Sequence, residues 1–255
     1  MDYDVLFVDI DGVVWMDGKP IHQNINALKK IQESGTKIIY LTNNSTRSRS
    51  MYADRLSELG LRVDANSVVN SGYSASIWLK RRHGPARVLM VGEEGLAEEL
   101  IQQGHKLVTP SDYGKAEAVV VGLDRGLTYY KLDAAARAIR GGALFIATNR
   151  DNMYPTPTGL APGAGSIVAF LETASGKNVV FDAGKPNPWI LEAAYMLLGY
   201  KPRKAAVVGD RVDTDMMLAK NASVDGILVL TGVARERRDS IPGWVKVVNT
   251  LMDLL

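Results

Sequence analysis

The 255-residue chain has no cysteine, which excludes disulfides, thiolate metal sites and a cysteine nucleophile. Histidine is nearly as scarce, with His22, His83 and His105 scattered along the chain. None stands at helical pairing distance from another, so an imidazole metal centre is not expected. No apolar run approaches the roughly 18 residues that a membrane-spanning helix needs. The N-terminus lacks the basic-then-apolar pattern of a secretion signal. Neither sign of charge dominates: 30 basic and 28 acidic side chains leave a formal net charge of +2. That balance gives none of the concentrated positive field of a nucleic-acid-binding surface. The expected protein is cytoplasmic, with neither membrane nor nucleic acid as partner.

Several motifs are missing as well. There is no Gly-x-x-x-x-Gly-Lys-Ser/Thr phosphate loop, no Gly-x-Ser-x-Gly elbow and no dinucleotide fingerprint after a strand. Asp9-Ile10-Asp11-Gly12 superficially suggests a calcium loop. The glycine comes too early, Val13 occupies a ligand slot, and Pro20 stands where a bidentate Glu is required.

What is present is a 46% hydrophobic chain whose short apolar runs alternate with helical stripes. Val5-Leu6-Phe7-Val8 reads as a buried strand, followed by a helix carrying Ile25, Leu28 and Ile31 and stopped by Gly35. Residues 37–42 read as a second strand, and Ser48 as the cap of a helix closed by Gly60. A helix over 71–82 completes a β-α-β-α pattern, which requires a parallel sheet. After the break at His83-Gly84-Pro85 a fresh unit begins, with strands at 87–91, 118–121 and 143–147 and helices over 94–103 and 128–140. Residues 149–165, rich in Pro, Gly, Thr and Asn and without periodicity, read as a long loop without secondary structure, either functional or disordered. A helix over 166–175, a strand at 179–181, a helix ending at Leu198 and strands at 204–208, 227–230 and 245–248 follow. The expected domains are 1–80 and 181–255 as a two-part core, with 81–180 as a smaller inserted α/β domain.

Four strand ends carry polar clusters: Asp9/Asp11, Thr42-Asn43-Asn44, Lys185 and Asp210/Asp215. In open parallel sheets ligands bind outside the carboxyl ends of the strands. Carboxylates from the first and last clusters would make an oxygen-rich cage suited to magnesium. A hydroxyl, an amide and a lysine from the other two suit phosphate oxygens. A hard cation beside phosphate points to phosphoryl chemistry. Taken singly, an Asp after a strand is most often a helix cap or a turn residue.

In their order these clusters resemble the four motifs of the haloacid dehalogenase (HAD) superfamily of aspartyl phosphotransferases. Asp9-Ile10-Asp11-Gly12-Val13 looks like the first, Leu41-Thr42-Asn43-Asn44 the second, Gly184-Lys185-Pro186 the third, and Gly209-Asp210 with Asp215 the fourth. The longer wording is similar to the NagD and p-nitrophenylphosphatase-like branch and extends through the whole chain, including residues 121–124 and 162–166. Only one helix fits between Gly12 and Thr42, and the extra α/β unit falls between Thr42 and Lys185, where that family carries its larger, C2-type cap.

The resemblance implies an α/β fold, a Rossmann-like parallel-sheet core with an inserted α/β cap. It implies a magnesium-dependent phosphatase of small phosphate monoesters, such as p-nitrophenyl, sugar or glycerol phosphates. Asp9 is then the nucleophile that forms an aspartyl-phosphate, and Asp11 the general acid and base. Metal ligands would be Asp9, the main-chain carbonyl of Asp11 and Asp210, with Asp215 supporting them. Thr42, Asn43, Lys185 and the backbone of Ile10 and Asp11 would hold phosphate oxygens. Asp213 reads as a surface or loop-capping residue. The cap candidates for substrate choice are Leu123, Arg125, Asn149, Asp151 and Tyr154, with Arg125 suited to a second anionic group. The partner would be a small phosphorylated metabolite, and the protein a monomer or homodimer. A phosphotransferase or phosphomutase on the same core, or a catalytically silent phosphometabolite-binding protein, are the rival readings.

Overall fold

Short apolar runs and their glycine stops set the elements. A computed structural model describes residues 2–156, 158–233 and 241–255. The first run becomes β1 (Val5–Asp9), followed by the small pair β2 (Trp15–Met16) and β3 (Lys19–Pro20). Then come α1 (His22–Glu33), β4 (Lys37–Thr42), α2 (Arg49–Glu58), β5 (Val68–Asn70) and α3 (Ser71–His83). The middle of the chain forms β6 (Arg87–Val91), α4 (Glu94–Gln102), β7 (Lys106–Val108), β8 (Ala118–Val121), α5 (Tyr129–Arg140) and β9 (Leu144–Ala147). It continues with β10 (Met153–Thr156), β11 (Gly159–Pro162), α6 (Ala164–Ser175) and β12 (Phe181–Asp182). The last part holds α7 (Trp189–Leu198), β13 (Ala205–Gly209), α8 (Met217–Ala222), β14 (Asp225–Val229) and β15 (Lys246–Val248). Among the described residues no helix is long and apolar enough to cross a membrane.

The chain divides into two compact units. The first comprises Met1–Thr42, Tyr52–Val69 and Lys185–Leu255. Its sheet runs β15-β14-β13-β1-β4-β5, with β1 parallel to both β13 and β4. Every residue of β1 is buried, as a central parallel strand covered on both faces requires. Leu6 and Val8 share a core with Leu28, Ile31, Tyr40, Leu56, Val208 and Ile227. Phe7 meets Tyr195 edge-on at 5.8 Å. Each such fully buried side chain contributes about 1.5–3 kcal/mol. The register pairs Asp9 with Leu41, and Val8 with both Tyr40 and Val208. The carboxyl ends of β1, β4 and β13 therefore finish side by side, with Asp9, Thr42 and Asp210 at one edge.

The second unit comprises Asn43–Met51 and Asn70–Gly184. Its sheet runs β12-β9-β8-β6-β7, with every pairing parallel. One face packs Val119, Val121 and Phe145 against Ile139 and Leu171. The other packs Val88 and Val120 against Ala75, Leu79, Leu96 and Leu100. Ala75 and Leu79 lie on α3, so this helix belongs to the second unit, where the sequence expectation placed the boundary after residue 80. The 43–51 segment joins the same unit through Arg49. Its N–H and Nε donate to the fully buried Glu99 at 2.6 and 3.1 Å, and its guanidinium lies 3.9 Å from the Tyr73 ring.

Residues 149–165 are not the unstructured loop expected. Met153–Thr156 and Gly159–Pro162 pair as an antiparallel hairpin. Pro155 and Pro162 lie within its strands, and proline inside a short run argues against a strand when only the sequence is read.

Candidate active site

The strand ends of the first unit bring three buried carboxylates together. Asp9 ends β1, Asp210 follows β13, and Asp215 lies in the turn of helix after it. Each offers a ligand oxygen within 4.8 Å of the others. Lys185 projects among them, and its Nζ donates to Asp9 Oδ1 at 2.6 Å and to Asp215 Oδ1 at 2.7 Å. Asp215 also accepts from the N–H of Arg211 at 3.2 Å. Asp210 Oδ2 accepts the N–H of Val233 at 2.7 Å. The sequence does not reveal that donor, because it is a main-chain N–H, which any residue but proline carries.

Two glycines make room for Asp210. A Cβ on Gly12 or on Gly232 would fall onto its carboxylate. Gly12 also has φ +81°, in the left-handed region where side chains are disfavoured.

Among the described residues, one buried lysine stands among these three buried carboxylates, and the electrostatics show the deficit. Burial works against the charge of Lys185, but Asp215 and Asp9 together hold its pKa above the usual range. Burial pushes the Asp9 carboxyl well above its usual value; Lys185 opposes this, while Asp215, Asp210 and Asp11 add to it. Burial, then Asp215, pushes Asp210 up to about 7. A group of buried hard oxygens with more negative than positive charge is the donor set a divalent cation fits. Asp9, Asp210 and Asp215 are the side chains placed to hold one.

Asp11 stands at the exposed edge of the same cluster. The Ile10 carbonyl accepts from the N–H of Val14 at 2.8 Å, and the N–H of Gly12 donates to the Trp15 carbonyl at 2.7 Å. This tight turn brings Trp15 back beside Asp11, and the indole Nε1 donates to Asp11 Oδ1 at 2.9 Å. Thr42, 1% exposed, ends β4 next to the Asp9 strand end. Asp213 is held by Arg211, whose Nε and Nη2 donate to it at 3.1 and 2.7 Å.

The remaining expected residues lie in the second unit. Asn43 directly follows Thr42 in the chain, and its Nδ2 donates to Asp151 Oδ2 at 2.9 Å. Asn149 is buried; its Nδ2 donates to the Asn43 carbonyl at 2.7 Å, and its Oδ1 accepts the N–H of Asp151 at 3.0 Å. Asn149 and Asp151 thus hold the Asn43 loop. Arg125 forms a two-pronged pair with Glu93, Nε donating at 2.8 Å and Nη2 at 2.6 Å. Leu123, after β8, and Tyr154, on the hairpin, are both half-buried.

Residues 6–106 match the family described as haloacid dehalogenase-like hydrolase, and residues 182–254 a second family described as HAD-hydrolase-like. The chain is 33% identical to an acid sugar phosphatase of Staphylococcus saprophyticus over 94% of its own length and 93% of that protein's. Among solved structures it resembles a p-nitrophenyl phosphatase from Archaeoglobus fulgidus, with a TM-score of 0.91 and 35% identity, covering 100% of this chain and 98% of that one. It also resembles a glycerol phosphate phosphatase from Mycobacterium tuberculosis in complex with calcium, with a TM-score of 0.89 and 37% identity, covering 99% of this chain and 75% of that one. The same mycobacterial protein has been solved in complex with magnesium.

Proposed function

This chain is a phosphatase of the haloacid dehalogenase-like hydrolase family, and from that premise we propose that it hydrolyses small phosphate monoesters through an aspartyl-phosphate on Asp9, with magnesium as its cation. The observation that carries this reading is the Lys185 bridge between Asp9 and Asp215 beside Asp210. A nucleophile, a fixed ammonium and an oxygen cage on one sheet edge exceed what a binding protein needs.

Lys185 holds Asp9 by one carboxylate oxygen, leaving the second to attack phosphorus. As the new O–P bond forms, the bond to the leaving oxygen breaks, and Asp11 delivers a proton to that oxygen. Such proton transfer is worth about 10²–10⁴-fold. Asp11, now a carboxylate, takes a proton from water as the water attacks the phosphoryl group. Inorganic phosphate then leaves and the Asp9 carboxylate is restored. Thr42, Asn43 and the main-chain N–H groups of Ile10 and Asp11 take the phosphate oxygens, so most of the rate gain comes from positioning and electrostatics. Asp9, Asp210, the Asp11 carbonyl and Asp215 would hold the magnesium, which when bound neutralises the phosphoryl oxygens.

The second unit serves as the C2-type cap, and choice of substrate rests on Leu123, Arg125 and Tyr154. The sugar and glycerol phosphatases among the relatives support substrates of that size. Substrates of this kind are intracellular metabolites, which supports a cytoplasmic location. The test is phosphate release by purified protein from p-nitrophenyl phosphate and a panel of sugar and glycerol phosphates, with magnesium and with chelator. Release that requires the cation is expected. No release from any of these esters would overturn the proposal.

A further inference from the structure

Resting on the phosphatase reading above, we infer that Trp15 is the positioning residue for the acid–base carboxylate of Asp11. Three observations meet here. First, the turn places the ring: Ile10 O accepts from the N–H groups of Val13, Val14 and Trp15 at 3.3, 2.8 and 3.3 Å, and Asp11 and Trp15 lie in bridge register. Second, the contact is direct, from the indole Nε1 to Asp11 Oδ1 at 2.9 Å. Third, the ring is anchored while its partner is not buried. Asp11 is exposed and Trp15 is 3% exposed. The indole stacks on Tyr52 with centroids 6.4 Å apart and planes 10° apart, and the Arg55 guanidinium lies 4.0 Å from the ring. Arg55 is tied in turn to the Gly18 carbonyl at 3.2 Å.

The chemistry explains why an indole suits this place. An exposed carboxyl samples several rotamers in water, and an acid catalyst must meet the leaving oxygen in one of them. The indole N–H only donates and does not titrate in the working range. It therefore engages a carboxyl oxygen that accepts, and the transferable proton belongs to the other oxygen. When the P–O bond breaks, that proton passes to the leaving alkoxide, and the Asp11 carboxylate remains on the same indole hydrogen bond. A hydroxyl or amide partner also has an acceptor, which would compete for the proton.

The test uses the difference between leaving groups. p-Nitrophenolate departs without a proton, whereas an alkoxide needs one. Trp15→Phe keeps an aromatic ring for Tyr52 and Arg55 and removes the N–H. For the alkyl phosphate that the wild-type protein turns over fastest, kcat/KM should fall about 10- to 100-fold. For p-nitrophenyl phosphate it should fall less than about threefold, which also reports that the variant is folded. Replacing Trp15 with the isosteric benzothienylalanine removes the N–H with no loss of shape and should give the same split. Equal losses on both substrates, or no loss on either, in the isosteric variant would overturn the role of Trp15. Wild-type protein that releases phosphate from neither substrate would overturn the phosphatase reading instead.

Discussion

The backbone of Gly12 lies against the carboxylate of Asp210, so closely that a Cβ at position 12 would overlap it. Gly232 closes on the same carboxylate, and the N–H of Val233 fixes one of its oxygens at 2.7 Å. Asp210 is thereby held by residues from both ends of the chain. Gly12→Ala would force φ +81° on a residue with a side chain, costing about 1–2 kcal/mol, and would displace the carboxylate. The expected result is a kcat lowered about 100-fold or more in a protein whose circular dichroism is unchanged.

Cation binding should be visible without turnover. Asp9, Asp210 and Asp215 are buried together beside Lys185, so magnesium should stabilise the folded state. At 100 times its dissociation constant the gain is about 2.7 kcal/mol, roughly 5–10 °C in melting temperature for a chain of this length. Thermal melts in magnesium and in chelator measure it. Asp210→Asn should lose most of the shift; an undiminished shift in that variant would place the cation elsewhere.

His105 sets a pH dependence in the second unit. Its Nδ1 accepts the N–H of Ala86 at 3.1 Å, so Nε2 carries the proton and donates to the Ser76 carbonyl at 3.0 Å. Burial lowers its pKa below the usual 6.5, the Ser76 carbonyl opposes this, and Lys80 adds to the lowering. The unfolded chain then takes up the proton before the folded one. This contribution to stability is complete above pH 6.5 and is lost as pH falls through the lowered folded value, by at most about 1.4 kcal/mol per pH unit. Melting temperatures between pH 7 and pH 5 should fall less in His105→Gln than in the wild-type protein.

Much of this site is legible from residue order alone. Asp9, Thr42, Lys185 and Asp210 each follow an apolar run, and a parallel sheet aligns such run ends at one edge. Trp15 and Val233 are not legible: one role depends on how the turn after β1 closes and the other on a main-chain N–H, and hydrophobic periodicity encodes neither. Asn149 and Asp151 look like substrate contacts in a polar stretch; their hydrogen bonds to each other and to Asn43 show what else that polarity serves. Arg125 likewise reads as a free cation until Glu93, thirty-two residues earlier, is found against it. The hairpin at Met153–Thr156 and Gly159–Pro162 is hidden by its own prolines. The second unit begins before residue 80 because Leu79, in a helix that periodicity finds correctly, packs on strands that come later.

Covalent catalysis by Asp9 is tested most directly by trapping the enzyme during turnover with borohydride, which reduces an acyl phosphate to an alcohol. Peptide mass spectrometry should then find homoserine at position 9 in the wild-type protein, only when substrate is present, and Asp9→Asn should be folded and inactive. Undiminished turnover by Asp9→Asn, with no reduction at position 9 in the wild-type protein, would contradict the mechanism.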